Sequence, residues 1–119
     1  MREASFILEL LQSLGVDMAR IFTPNVEEDL WKRYYSGDRS AFIRHLSRAL
    51  DKQQVRKITE MFTENNEFRE YVSRYISEFD GVLSRAQENE RADILTGILL
   101  GSEAGRLYRL LSKVFNKEA

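Results

Sequence analysis

The stretch from Phe68 to Ala86 constrains the chain most: Phe68, Val72, Tyr75, Phe79, Val82 and Ala86 recur at alternating steps of four and three. Only an α-helix brings residues so spaced onto one face, and a long face of large apolar side chains has to be covered by something. Tyr71, Ile76 and Leu83 widen the face. The segment is predicted to be the central helix of a bundle or the seam of a dimer.

The flanking sequence repeats the pattern in shorter pieces. Ile7, Leu11, Leu14, Met18 and Ile21 form one helical face, with Gly15 as a possible hinge inside it. Thr23 followed by Pro24 reads as an N-cap and first helical residue, and Glu27, Glu28 and Asp29 suit the positive end of that helix. This second helix turns Val26, Leu30, Trp31 and Tyr34 inward and ends at Gly37, after which Asp38 caps the next. Phe42, Ile43, Leu46, Ala49 and Leu50 share one direction, whereas Val55, Ile58 and Phe62 point the opposite way on a continuous helix, which requires a break near Asp51.

The same angular test applies to "LTGILLGSEAGRLYRLL". Ile94, Leu95, Ile98 and Leu99 face one way, while Leu100, Ala104, Leu107, Leu111 and Val114 face the other, so two helices should meet near Gly101 with Ser102 capping the second. Gly97, Gly101 and Gly105 are four apart, but no lysine and Ser/Thr pair follows them and no strand precedes them, which removes a phosphate-binding loop. A close glycine contact between helices is the other special reading, of greatest value in lipid. A tight helical corner is the plainer one.

With one proline and no visible linker or repeat, 119 residues make a single domain spanning residues 1–119, an all-α, compact bundle of about six or seven helices. The absence of cysteine removes disulfides, thiolate metal sites and a cysteine nucleophile, and fits a reducing, cytoplasmic setting. Glu3 and Glu9 interrupt the N-terminal apolar pattern, unlike a signal peptide, and no apolar run approaches the roughly 20 residues of a membrane span. Membrane contact would then be indirect or made by other parts of a longer chain.

No constellation suits catalysis. Carboxylates such as Glu67 with Glu70, or Glu88 with Glu90, occupy positions where helix surfaces are ordinarily charged, and no nucleophile has a base beside it. One histidine and scattered carboxylates do not make a metal site, so neither metal nor cofactor is expected. His45 could accept a phosphoryl group, with Arg44, Arg48 or Lys52 nearby, which would make a histidine-phosphotransfer module. The small residues and packed lysine of such modules are missing around it.

Charge is distributed unevenly although the net value is −1. Residues 32–57 hold eight Lys or Arg against Asp38 and Asp51, a balance of +6, while the first 31 residues carry −4 and the remainder −3. This basic segment could meet an anionic surface, nucleic acid or lipid headgroups. A slightly acidic domain is a poor nucleic-acid binder, so pairing with the acidic flanks or with an acidic protein partner ranks higher.

Three phrases, "LWKRYYSGDRSAFIRHL", "EFREYVSRYISEFDGVL" and "ILLGSEAGRLYRLL", resemble the C-terminal helical module of very large coiled-coil proteins of alphaproteobacteria, among them cell-pole and growth-pole scaffolds carrying kinesin-like or apolipoprotein-like labels. The likeness covers roughly residues 30–112, and the chain departs from the usual Asp-Met-Gly-Lys-Leu-Tyr in having Glu103, Ala104, Gly105, Arg106, Leu107 and Tyr108. The resemblance implies scaffolding: a terminal domain that multimerises or docks a protein partner. The residues themselves favour the same class, a protein interaction or self-association module. Tyr71, Tyr75, Phe79 and Tyr108 are the expected aromatic anchors, and Arg44, Arg48 and Lys52 the expected charged rim. Tyr75 and Phe79 also have the spacing of core residues.

Overall fold

A computed structural model of the chain describes residues 2–23, 28–51 and 55–115, with side chains over residues 6–23, 28–50 and 56–115. Among the described residues there are seven α-helices and no strand: α1 (Arg2–Phe22), α2 (Glu28–Tyr35), α3 (Ala41–Asp51), α4 (Val55–Glu64), α5 (Asn66–Gln87), α6 (Ala92–Gly101) and α7 (Glu103–Phe115). The long alternating face belongs to α5, the hub of the molecule. It packs against α1, α4, α6 and α7, and Phe68, Val72, Tyr75 and Phe79 are buried there.

Four helices close a ring around the core. Both α1 and α7 pack on α3 and on α5, so apolar stripes from all four meet at the centre: Leu14, Met18 and Phe22 from α1, Phe42, Ile43 and Leu46 from α3, and Leu107 and Leu111 from α7 join those of α5. Each such side chain contributes about 1.5–3 kcal/mol by leaving water. Outside the ring, α2 lies on α3, α4 on α5, and α6 on α5 and α7.

Local chemistry explains where the helices end. Asn65 caps α5 by accepting the Phe68 N–H at 2.9 Å. Gly37, at φ 119°, makes the turn after α2, and the Asp38 carboxylate then accepts from the Ser40 N–H and from Arg44, as the cap predicted there should. Helix α3 ends at Asp51 and α4 begins at Val55, so the two opposed apolar faces belong to separate helices, as predicted; Ile58 is buried. The proposed start of α2 lies outside the described residues, as do Pro24, Val26 and Glu27. Leu30, Trp31 and Tyr34 are only half-buried, with Trp31 set edge-on to Phe42 at 4.7 Å.

Two glycines act through close packing. Helix α1 runs unbroken through Gly15, so the hinge expected there is absent; a Cβ at this position would lie 2.8 Å from Cγ1 of Ile43, which places the glycine where α3 crosses α1. At the other end, α6 and α7 meet at a corner at Ser102, as the reversal of apolar direction predicts. The Ser102 hydroxyl accepts the Gly105 N–H at 3.0 Å and donates to the Leu99 carbonyl at 2.6 Å. A Cβ on Gly105 would stand 2.1 Å from that carbonyl and 2.8 Å from the Leu100 Cα, so the corner admits only glycine here.

Candidate interaction surfaces

Helix α6 differs from every other element in lacking a polar face. Its sequence ADILTGILLG contains one charged residue, Asp93, yet none of its residues is fully buried. Leu99 and Leu100 pack against the core and Leu95 is half-buried, whereas Ile94 and Ile98 are 59% and 64% exposed. Gly97 and Gly101 are exposed too, with nothing within 4 Å of where a Cβ would stand. Residues 94, 97, 98 and 101 share one face of a helix, so the outer surface of α6 alternates isoleucine and glycine, projection and notch.

Beside this face lies a groove of about 860 Å³. Ile7, Leu8 and Leu11 of α1 form one wall, Leu95, Ile98 and Leu99 of α6 the other, and Phe79, Val82 and Ala86 of α5 line the space between. Arg85 and Asn89 supply polar groups at its edge. Leu8 and Phe6, at 47% and 67% exposure, continue the apolar surface along α1. Among the described residues, α6 and the adjoining face of α1 thus present a broad apolar area to water.

Of the expected aromatic anchors, Phe79 lies at the floor of this groove, and Tyr71, Tyr75 and Tyr108 do not line it. Tyr75 and Phe79 are buried, which makes them core residues of this fold, unavailable on its outer surface. The Tyr75 hydroxyl donates to the Ala104 carbonyl at 2.8 Å, tying α5 to the first turn of α7, and burial pushes its pKa up. Phe79 stacks on Tyr108 with ring centroids 4.6 Å apart, and the Tyr108 hydroxyl donates to the Asp80 carboxylate. Partial burial, and after it the neighbouring carboxylate, raises the Tyr108 pKa. Tyr71 is half-buried at the edge of the core. Packing of α5 against α7 engages Tyr75, Phe79 and Tyr108.

The basic segment is largely answered from within. Arg44 reaches two carboxylates, Asp38 and, at 2.8 Å, Glu103 of α7. The Arg44 hydrogen bond holds the Asp38 carboxyl below its ordinary range. Arg33 pairs with Asp29 at 3.0 Å and Arg56 with Glu60 at 3.5 Å, while Arg39 lies over the Tyr34 ring and Lys57 over that of Phe22. Arg48 is exposed on α3, and Lys52 lies outside the described residues. His45 is half-buried, its Nε2 3.1 Å from the Thr23 hydroxyl, which links α3 to the end of α1.

No group of three or more His, Asp or Glu residues that could hold a metal ion occurs among the described residues, nor does any helix long and apolar enough to cross a membrane. Periodicity alone groups Ile94 and Ile98 with Leu95 and Leu99 on one side of α6 and does not reveal that the two isoleucines face water. The available signal was composition: ten residues with a single charge leave an isoleucine–glycine face with no polar residue to make it a solvent side. No family model matches the chain, and comparison with curated proteins and with solved structures yields no significant match.

Proposed function

We propose that this domain is a non-catalytic interaction module that associates with a second copy of itself through the outer face of α6 and the adjoining groove. The carrying observation is the exposed alternation of Ile94, Gly97, Ile98 and Gly101 beside an apolar groove. Two such faces laid antiparallel about a two-fold axis are self-complementary, since the isoleucines of each copy project where the other has glycine notches. The exposed parts of Phe6, Leu8, Ile94 and Ile98 amount to roughly 400 Å² of apolar surface, the size of patch that is often functional on a monomer. With the groove walls, a pair of copies would bury on the order of 1,000 Å² in total, the lower bound for a specific contact, so the association is weak and reversible.

The phrases shared with terminal modules of coiled-coil pole scaffolds support the same class of function. A weak self-associating cap becomes effective when a long coiled coil or a membrane-anchored partner raises its local concentration in the cytoplasm.

Light scattering tests the reading. The wild-type mass should rise from monomer toward dimer between about 1 μM and about 1 mM, and Ile98→Glu should remain monomeric throughout. A wild type that stays monomeric over that range, or that partitions onto phosphatidylcholine vesicles through α6 without dimerising, overturns self-association.

A further inference from the structure

The groove between α1 and α6 has a cause in the sequence. Along α5 the inward side chains run Phe68, Val72, Tyr75, Phe79, Val82 and Ala86, so the helix ends on valine and alanine where α1 and α6 flank it. Ala104, in the first turn of α7, lines the same space. With alanine at both 86 and 104, no large side chain rises from these positions to close it. The groove of about 860 Å³ has the size of a small-molecule site, which is roughly 300–1,000 Å³. Apolar walls on both sides and an apolar floor surround a slender chain on three sides, whereas a flat partner face would touch only the rims.

The polar lining narrows the ligand. Arg85, Asn89 and Ser102 are the polar residues of the groove. The Ser102 hydroxyl is spent on the corner between α6 and α7, and Arg85 is already engaged by another group. Asn89 accepts the Arg91 N–H through Oδ1 at 2.9 Å, which leaves its amide N–H groups to donate. Around this end, residues 85–93 carry Arg85 and Arg91 against Glu88, Glu90 and Asp93, a balance of −1 that disfavours an anionic head. We infer that the groove binds one linear aliphatic chain with an uncharged oxygen head, as in a long-chain alcohol or a monoacylglycerol, its methylenes lying over Val82 and Ala86 and its head accepting from Asn89. Ile94, Gly97 and Gly101 of the outer face do not line the groove, so the inference stands whether or not the domain self-associates.

The test is an amide NMR titration of the full chain, kept dilute, with decanol, and with octanol and decanoate for comparison. Saturable shifts should centre on Leu11, Val82, Ala86 and Leu95. Each buried methylene is worth about fourfold in affinity, so decanol should bind about tenfold more tightly than octanol, and decanoate more weakly than decanol. Ala86→Leu raises the floor with an apolar side chain and should weaken decanol binding by about tenfold without lowering the melting temperature. Leu8→Gln changes a wall position that is 47% exposed, so it leaves the fold intact and should weaken binding severalfold. Ile94→Glu, outside the groove, should bind decanol as the wild type does while losing self-association, so the two readings fail separately. The inference is overturned by the absence of saturable binding, by equal affinity for octanol and decanol, by either groove variant binding decanol as the wild type does, or by decanoate binding more tightly than decanol.

Discussion

Helices α5 and α6 carry the same apolar spacing to opposite ends. On α5, Phe68, Val72, Tyr75 and Phe79 are sealed from water by α1, α4 and α7, and the rest of the helix surface carries charges such as Glu67, Glu70 and Arg74. On α6, Ile94, Ile98 and Gly101 repeat the steps of four and three, with Gly97 beside them, but face outward, and one acidic residue is the only charge along the helix. Helical periodicity therefore identifies a coherent face without saying what covers it. The polar complement tells the two apart: α5 has a solvent side, and α6 does not.

Substitutions at matched positions make the contrast measurable. Phe68→Ala, which opens a cavity beneath the α5 face, should lower the unfolding free energy in urea by about 3–5 kcal/mol. Gly105→Ala should cost about 3 kcal/mol, because its methyl would run into the Leu99 carbonyl 2.1 Å away and force α6 off α7. Arg44 holds the Asp38 pKa below 3.8, so this pair stabilises the fold above that pH, and the contribution disappears as pH falls through the lowered value. The loss should stay under about 1 kcal/mol, as for other solvent-accessible pairs, and urea titrations of Asp38→Asn should lack this part of the acid dependence. Smallest of all, Ile98→Ala should change monomer stability by no more than about 0.5 kcal/mol, measured under dilute conditions, because its side chain already lies in water.

Much of the fold could be read from the sequence, because helix faces and breaks are local properties. The break after Asp51, the turn at Gly37 and the corner at Ser102 follow from counting angles and recognising caps. Packing between distant segments was not legible in that way. Gly15 suggested a hinge, but its role depends on Ile43, a residue 28 positions later that approaches from another helix. Tyr75 and Phe79 qualified as anchors by residue type, although the arrival of α7 buries them. Likewise, Arg106 of α7 and Arg44 and Arg48 of α3 line one small cavity, a proximity that no spacing within residues 32–57 could reveal.

The central claim concerns which surface of α6 meets another molecule. Amide NMR spectra recorded from dilute to about millimolar protein test it residue by residue. The account predicts concentration-dependent shifts at Ile94, Gly97, Ile98 and Gly101 and at Leu8 of α1, with α2, α3 and α4 unchanged. Spectra that do not vary with concentration, or that vary only on α2, α3 and α4, would contradict it.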